Sequence, residues 1–496
     1  MSIWGKFMRK NSKDAAGPEA LALPKNIDSG NGRAAASLPR RFKFKSFLKW
    51  LGISLLALFA IWTTLNIVAG IQLRHTMAEL KQQGFHFSLE EIQPAKVPDE
   101  DNAAIPLRRA AEMLGSWWPR SSSKNLYPKL GQLSEIIDKY RTNSTVPLDI
   151  KTWPAAVQSE LPSLVESREM EEMYGYICKV AEKKKANFGI DYSEGINALL
   201  PNLGGVRGII RCLIVKALVE SQAGKTSQAY DTLLTAQKLV SHLDSEPMLV
   251  FSLIRIACDN IILDKVQSIA NSTGCSEEWA KSYMPEITKS LSRQTREKVI
   301  DMEICGGASV FEGMLQDDTK LAGYFYSVYR KPLARAVLVV LKPLIKKDFR
   351  YYLLRSVNGK KYLVAPYYEI VADLKREREE KVPKCYFLSQ SLCYIYGHIV
   401  ENFARHDAKV EVCRTGLALQ IYKGRHGKYP DRLEQLAPDI LPVVPVDPFT
   451  GKSLIYKPEG EGFLLYSVGG NRVDDHGDET LDNEKRSRDI VWRCPR

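Results

Sequence analysis

Seven histidines and nine cysteines are the residues of this chain best suited to acid–base, nucleophilic or soft-metal chemistry, and their spacing supports little of it. There is no HExxH, no GxSxG, no Walker A motif and no GxGxxG after a predicted strand. His406 and Asp407 are neighbours on a predicted helix, where adjacent side chains point apart, so they make a poor catalytic pair. His426 belongs to the turn before Tyr429-Pro430. Cys178, Cys212, Cys258, Cys275, Cys305, Cys385, Cys393, Cys413 and Cys494 form no CxxC pair and no zinc spacing. Their odd number leaves at least one unpaired within the chain, and most sit among apolar residues, where packing is the simplest role. One acidic stretch remains, Asp474-Asp475-His476-Gly477-Asp478. Carboxylate oxygens suit a hard cation such as calcium, which takes six to eight of them. A single His among several carboxylates favours a harder ion over a transition metal. A plain solvated acidic loop is the other reading. The motif search favours a non-enzymatic protein, with a hydrolase whose site is assembled from distant residues of the helical region as the alternative.

The elements around the acidic stretch are readable. A long helix is predicted from about Cys385 to Arg425, stopped by Gly424, Gly427 and Pro430. The segments SLIYK and FLLYSV, split by Pro458-Glu459-Gly460-Glu461-Gly462, predict an antiparallel β-hairpin. Several short features occur in order here: the helix entering HGKYP (426–430), Leu441-Pro442, Asp447-Pro448-Phe449, GFLLYSVG (462–469), the acidic loop and Asp489-Ile490. Through them residues 412–493 resemble the globular part of the major pseudopilin of type II secretion. In that family the acidic loop binds calcium and holds the final strand. The resemblance implies, by position, a ligand set of the Ser467 carbonyl, Asn471, Asp474, Asp475, Asp478 and Asp489. Asn471 stands where the family has an Asp, and the loop to Asp489 is several residues longer, so calcium and a solvated loop both stay open. No prepilin cleavage site precedes an apolar helix continuous with this module, which leaves a shared fold without polymerisation.

Upstream, residues 160–345 read as helical. ALVESQAGKTSQAYDTLLTAQKLVSHL has the offsets of a tetratricopeptide-like hairpin, with small residues at Ala217, Ala229 and Ala236, Leu233 between them, and Gly224 at the turn. The unit occurs once, so it is read as one hairpin in an irregular helical array. After Pro247 the apolar MLVFSLIRIACDNIILDKV predicts a core helix. AVLVVLKPLIK (336–346) is too short for a second membrane span and is interrupted by Lys342 and Pro343, so a buried helix is expected. Charge runs such as LKREREEK (374–381) are solvated faces.

Between Lys49 and Arg74 lie 24 residues without a charge, Trp50 to Leu73. At about 1.5 Å per residue some twenty suffice to cross a hydrocarbon core about 30 Å thick. Up to Lys49 the chain holds eleven Lys and Arg against three acids, a net +8 out of +12 for the whole chain. The positive-inside rule then leaves the tail in the cytoplasm, and the segment reads as an uncleaved signal anchor. The rest is nearly neutral for its length, which gives no reason to expect nucleic acid as a partner. Just beyond the anchor, Ser88 and Glu91 have capping-box spacing, and Asp101 or Asn102 is expected to cap the next helix. VPDEDNAA (97–104) is similar to a juxtamembrane stretch of exported planctomycete-type proteins, a resemblance that implies lineage and no activity.

The expected architecture is mostly α. A disordered basic tail covers 1–46, a transmembrane anchor 47–73, an exported helical domain 74–384, and a small α+β pseudopilin-like module 385–496. The expected protein is single-pass in the inner membrane, with its bulk on the periplasmic side. It acts there as an interaction or scaffold protein toward other envelope proteins, with calcium as its one candidate cofactor.

Overall fold

A computed structural model of the chain describes residues 44–115, 126–140, 148–193, 198–288, 292–316, 332–393, 396–480 and 488–495. The tail expected over 1–46 lies outside these residues except for its last three, which open helix α1 (Phe44–Gln82). Among the described residues α1 is the one helix long and apolar enough to cross a membrane. It has a mean hydropathy of 2.0 over an 18-residue window, none of it buried. The chain divides between Ala60 and Ile61, and everything from Ile61 onward forms a single unit.

That unit is mostly α, with one small sheet near its C-terminal end. Its first half holds α2 (Leu89–Ile92), α3 (Ala104–Met113), α4 (Pro128–Tyr140), α5 (Ala155–Val165), α6 (Arg168–Glu182), α7 (Gly204–Gln222), α8 (Thr226–Ser241), α9 (Leu249–Thr273) and α10 (Glu277–Thr288). Helices α7 and α8 form the expected hairpin: Ala217, Ala229, Leu233 and Ala236 are fully buried between packed helices, and Gly224 turns the chain at φ 75°. Ser88 begins α2 where its spacing predicts, but the capping box does not form. Glu91 pairs instead with His86, 3.1 Å away, because the four-residue helix leaves its side chain free to reach back along the chain. Asn102 is buried and ties the juxtamembrane stretch to the end of α6: its Oδ1 accepts the amides of Ala104 (3.0 Å) and Asn187 (2.9 Å), and its Nδ2 donates to the Asn187 carbonyl.

The second half holds α11 (Arg293–Gln316), α12 (Pro332–Val364), α13 (Tyr367–Glu379), α14 (Phe387–Leu392) and α15 (Tyr396–His426). The helix predicted from Cys385 is therefore two helices, with α15 ending at Gly427, φ 73°. The expectation of a buried helix at 336–346 holds only from Pro343 on. Val337, Val339 and Val340 are 48%, 47% and 64% exposed, whereas Ile345, Phe349 and Leu353 are buried.

Two hydrophobic cores result. One gathers α3 to α10, and the other gathers Leu73, Leu80 and Phe87 with α11 to α14. Helix α15 belongs to both, giving Ile399, Val400, Phe403 and Ala404 to the second core and Cys413, Leu417 and Leu419 to the first.

The sheet consists of β1 (Ile455–Glu459), β2 (Gly462–Ser467) and β3 (Ile490–Cys494), antiparallel in the order β1-β2-β3. The hairpin turns at Gly460, φ 63°, as the Gly-rich spacing predicts. All of β2 is buried: Phe463 and Leu465 join the first core, while Leu464 and Tyr466 cluster with Val491 on the opposite face. The sheet is thereby fastened to the helical part. Trp492 donates its indole N–H to Asn271 Oδ1 (2.8 Å), and Asn271 returns Nδ2 to the Arg493 carbonyl (2.8 Å). Arg425 pairs with Glu277 nearby.

Gly416 on α15 lies where a Cβ would stand 2.0 Å from the Trp492 ring. Gly416→Ala therefore forces the ring out of a closed core, and the expected cost is about 1–3 kcal/mol for overpacking. A denaturant melt of the full chain checks this; an unchanged midpoint would show that Trp492 does not pack on α15.

Candidate functional site at the acidic loop and the adjoining cleft

The acidic loop leaves β2 and folds back over the outer face of the sheet. Tyr466 donates its hydroxyl to Asp474 Oδ1 at 2.8 Å, and Gly477 sits so close to Leu464 that a Cβ there would lie 3.0 Å from its methyl group. His476, φ 60°, and Gly477, φ 81°, make the reversal. The Asp489 amide donates to the Asp478 carbonyl (3.1 Å) and the Arg488 amide to the Thr480 carbonyl (3.1 Å), so the two ends of the loop meet before β3. Residues 481–487 of the loop lie outside the described part. The loop thus roofs Leu464, Tyr466 and Val491 and sets the start of the last strand.

The six residues expected as ligands are only partly brought together. Ser467 is buried in β2, and its hydroxyl donates to Asp447 Oδ1 (2.9 Å). Asp447 also accepts the amides of Phe449 (2.8 Å) and Val468 (3.1 Å), clamping the Asp-Pro-Phe turn to the strand end. Asn471 Nδ2 donates to Asp475 Oδ2 (2.6 Å). Asp474 is held below the usual carboxylate range, chiefly by the Tyr466 hydroxyl and also by the His476 amide. Asp478 is likewise lowered, by the Thr480 amide and hydroxyl and by Arg488. Asp489 is the buried carboxylate of the set. Its Oδ2 accepts the Gly477 amide (2.7 Å), while its Oδ1 has no hydrogen-bond partner among the described residues. Burial raises its carboxyl, with the Gly477 and Asp475 amides opposing and the charges of Asp475 and Asp474 adding to the rise. Among the described residues no group of three or more His, Cys, Asp or Glu is poised on a common point. The donors are nonetheless all oxygens, and the orphaned Asp489 oxygen fits a hard cation.

Beside the loop, a cleft of about 490 Å³ runs between α15, the α12–α13 corner and the Val443–Pro448 segment. Its floor is Tyr362, Val400, Phe403 and Ala404, and its rim carries Val443 and Val446, 70% and 47% exposed. Two ion pairs close one side, Arg296 with Asp407 and Arg414 with Glu411 (2.8 Å). The Arg296 guanidinium also lies over the Phe403 ring, 5.3 Å from its centre. Burial raises the Glu411 carboxyl, and Arg414 offsets this in part.

His406 and Asp407 do point apart, as their helical spacing requires. Asp407 faces the cleft, whereas His406 is buried and its Nε2 lies 3.3 Å from Asp259 on α9. Asp259 also accepts from Arg255 (3.2 Å) and Gln237 (2.9 Å), and Arg255 bonds Asp244 (2.7 Å). Burial disfavours the Asp259 anion, but Arg255 and His406 overcome it and hold the carboxyl at about 2. The sequence carried a signal for half of this: Arg255 and Asp259 are four apart in an otherwise apolar helix. Nothing local joins them to His406. Comparisons with models of protein families, with curated proteins and with solved structures find no match.

Burial pushes Asp244 up to about 6 despite Arg255. Because the folded state then holds a proton that the unfolded chain has released, this group's contribution is present below the ordinary value of 3.8 and is lost as pH rises toward 6. Stability measured across that window should fall more steeply in the native chain than in Asp244→Asn; equal slopes would place the titration elsewhere.

Proposed function

We propose that this is a non-enzymatic protein of the cell envelope. Its α1 helix anchors it in the inner membrane, its basic tail stays in the cytoplasm, and its folded body serves as an interaction scaffold on the extracytoplasmic side. The observation that carries this reading is α1, whose apolar window has no buried residue while its last turns, Leu73 and Leu80, are built into the second core. An uncharged helix that leaves its apolar side chains unburied is stable in lipid and costly in water, at roughly 25 cal/mol per Å² of apolar surface. The charge asymmetry of the tail sets the direction. The aromatic and valine-lined cleft, with Pro366, Pro445 and Pro448 along it, suits an extended segment of another envelope protein. One feature favours a hydrolase instead: Glu411, a carboxyl raised by burial in a cleft. Its pairing with Arg414 and that of Asp407 with Arg296 favour an ion-pair wall over a free acid–base couple.

Membrane integration is tested by alkaline carbonate extraction of cell membranes. The full chain should stay with the pellet, and a chain whose Leu55, Leu56, Leu58 and Phe59 are replaced by Lys should be released. Release of the native chain would rule out the anchor.

Calcium is part of the proposal, resting on the resemblance of the C-terminal module and on the orphaned Asp489 oxygen. Asp489 would hold the ion, with Asp474, Asp475 and Asp478 exchanging their present partners for it, and its role would be to lock the roof over the sheet. Calcium at a hundred times its dissociation constant should stabilise the full chain in detergent by about 2.7 kcal/mol. That gain should vanish in Asp489→Ala; an identical melt with calcium and with chelator would leave the loop as a roof made by hydrogen bonds alone.

A further inference from the structure

The three valines exposed at the start of α12 are neither the buried helix nor the second span that the sequence offers as choices. They are set beside the outer half of α1. Trp62 of α1 donates its indole N–H to the Val340 carbonyl at 2.9 Å. Lys346 donates to both the carbonyl (3.2 Å) and the side-chain oxygen (2.8 Å) of Asn66. One turn further on, Arg350 donates to Thr76 Oγ1 at 2.9 Å. Partner numbers rise together on both helices, so α12 runs alongside α1 in the same direction.

That pairing creates two bands of chemistry. Val337, Val339 and Val340 are exposed at the level of the exposed Ile61 and Leu65 of α1. Leu338 and Leu341, which lie among them, pack against the second core. Past the valines, exposed Lys347 and Arg350 stand level with the point where Arg74 ends the apolar run of α1. An apolar band capped by basic residues is the order met on passing from acyl chains to phosphate headgroups. From Val337 to Lys347 is about 15 Å of helix, or roughly half of a hydrocarbon core. Inside the band the Trp62 N–H is satisfied by the Val340 carbonyl and Asn66 by Lys346, while half-buried Lys342 lies one turn before Lys346 with a stem long enough to carry its ammonium toward the same level. That is the condition for polar groups to sit at membrane depth.

We infer that the exposed valine stretch of α12, Val337 to Val340, is embedded in the membrane beside α1. Val337, Val339 and Val340 lie among the acyl chains of the leaflet that receives the C-terminal half of α1, and Lys347, Arg350 and Arg74 lie at its headgroups. This rests on the reading of α1 as a membrane anchor. It makes the attachment rigid, since the body is held by two helices locked to each other and not by one helix on a flexible tether.

The test is photo-crosslinking in the full-length protein, reconstituted in vesicles of phosphatidylethanolamine and phosphatidylglycerol. A diazirine amino acid is placed singly at Val340, at Leu56 in α1, and at Val443, an exposed valine on the rim of the cleft. Adducts are read by intact-protein mass spectrometry. Lipid adducts should form at Val340 with a yield of the same order as at Leu56, and Val443 should give none. Adducts at Leu56 with none at Val340, or cross-links from Val340 to a second copy of the chain, would overturn the inference and leave the anchor standing. No lipid adduct at Leu56 would overturn the anchor and this inference with it.

Discussion

The buried charge cluster on α9 and α15 is the constraint on which the arrangement turns. Arg255, Asp259 and His406 are almost wholly removed from solvent, and they meet where α15 passes from one hydrophobic core into the other. Withdrawing such groups from water costs several kcal/mol each unless every one finds a partner, so the cluster tolerates few alternative registers of α15 against α9. Apolar packing alone would let a long helix slide or rotate by a residue; a buried polar contact that must close does not. With α15 placed, Gly416 fixes Trp492, Trp492 fixes β3 on α9, and Asp447 fixes the loop that frames the cleft. The cleft and the acidic roof both inherit their geometry from that chain of contacts.

A second constraint comes from lipid. Everything proposed about location depends on an uncharged helix with no buried residue in its most apolar window. The C-terminal end of α1 is firmly joined to the body, for Leu73 and Leu80 sit in the second core and Thr76 is buried beside Arg350.

What the sequence made legible was local. The uncharged run, the Gly460 turn, the Gly427 stop and the small-residue hairpin of α7 and α8 are each written in a few adjacent residues, and each appears where its spacing puts it. What was hidden depends on pairs far apart in the chain: His406 with Asp259, Trp492 with Asn271, Asn102 with Asn187, Lys346 with Asn66. Val337–Val340 shows the limit well. Length and an interrupting Lys-Pro pair argue correctly against a full span, yet they say nothing about which side of a short apolar turn the core will cover. The acidic loop was legible as composition, but its attachment to Tyr466 and Leu464 was not, because roofing a sheet face needs the sheet to exist first.

The central claim is that the folded body lies on the far side of the membrane from the basic tail. Cys385 is the one exposed cysteine of the nine. Labelling it with a membrane-impermeant maleimide in intact spheroplasts, with Cys385→Ser as the blank, reads the topology directly. Labelling before lysis is the predicted result; labelling of Cys385 only after the membrane is opened would put the body in the cytoplasm and contradict the account.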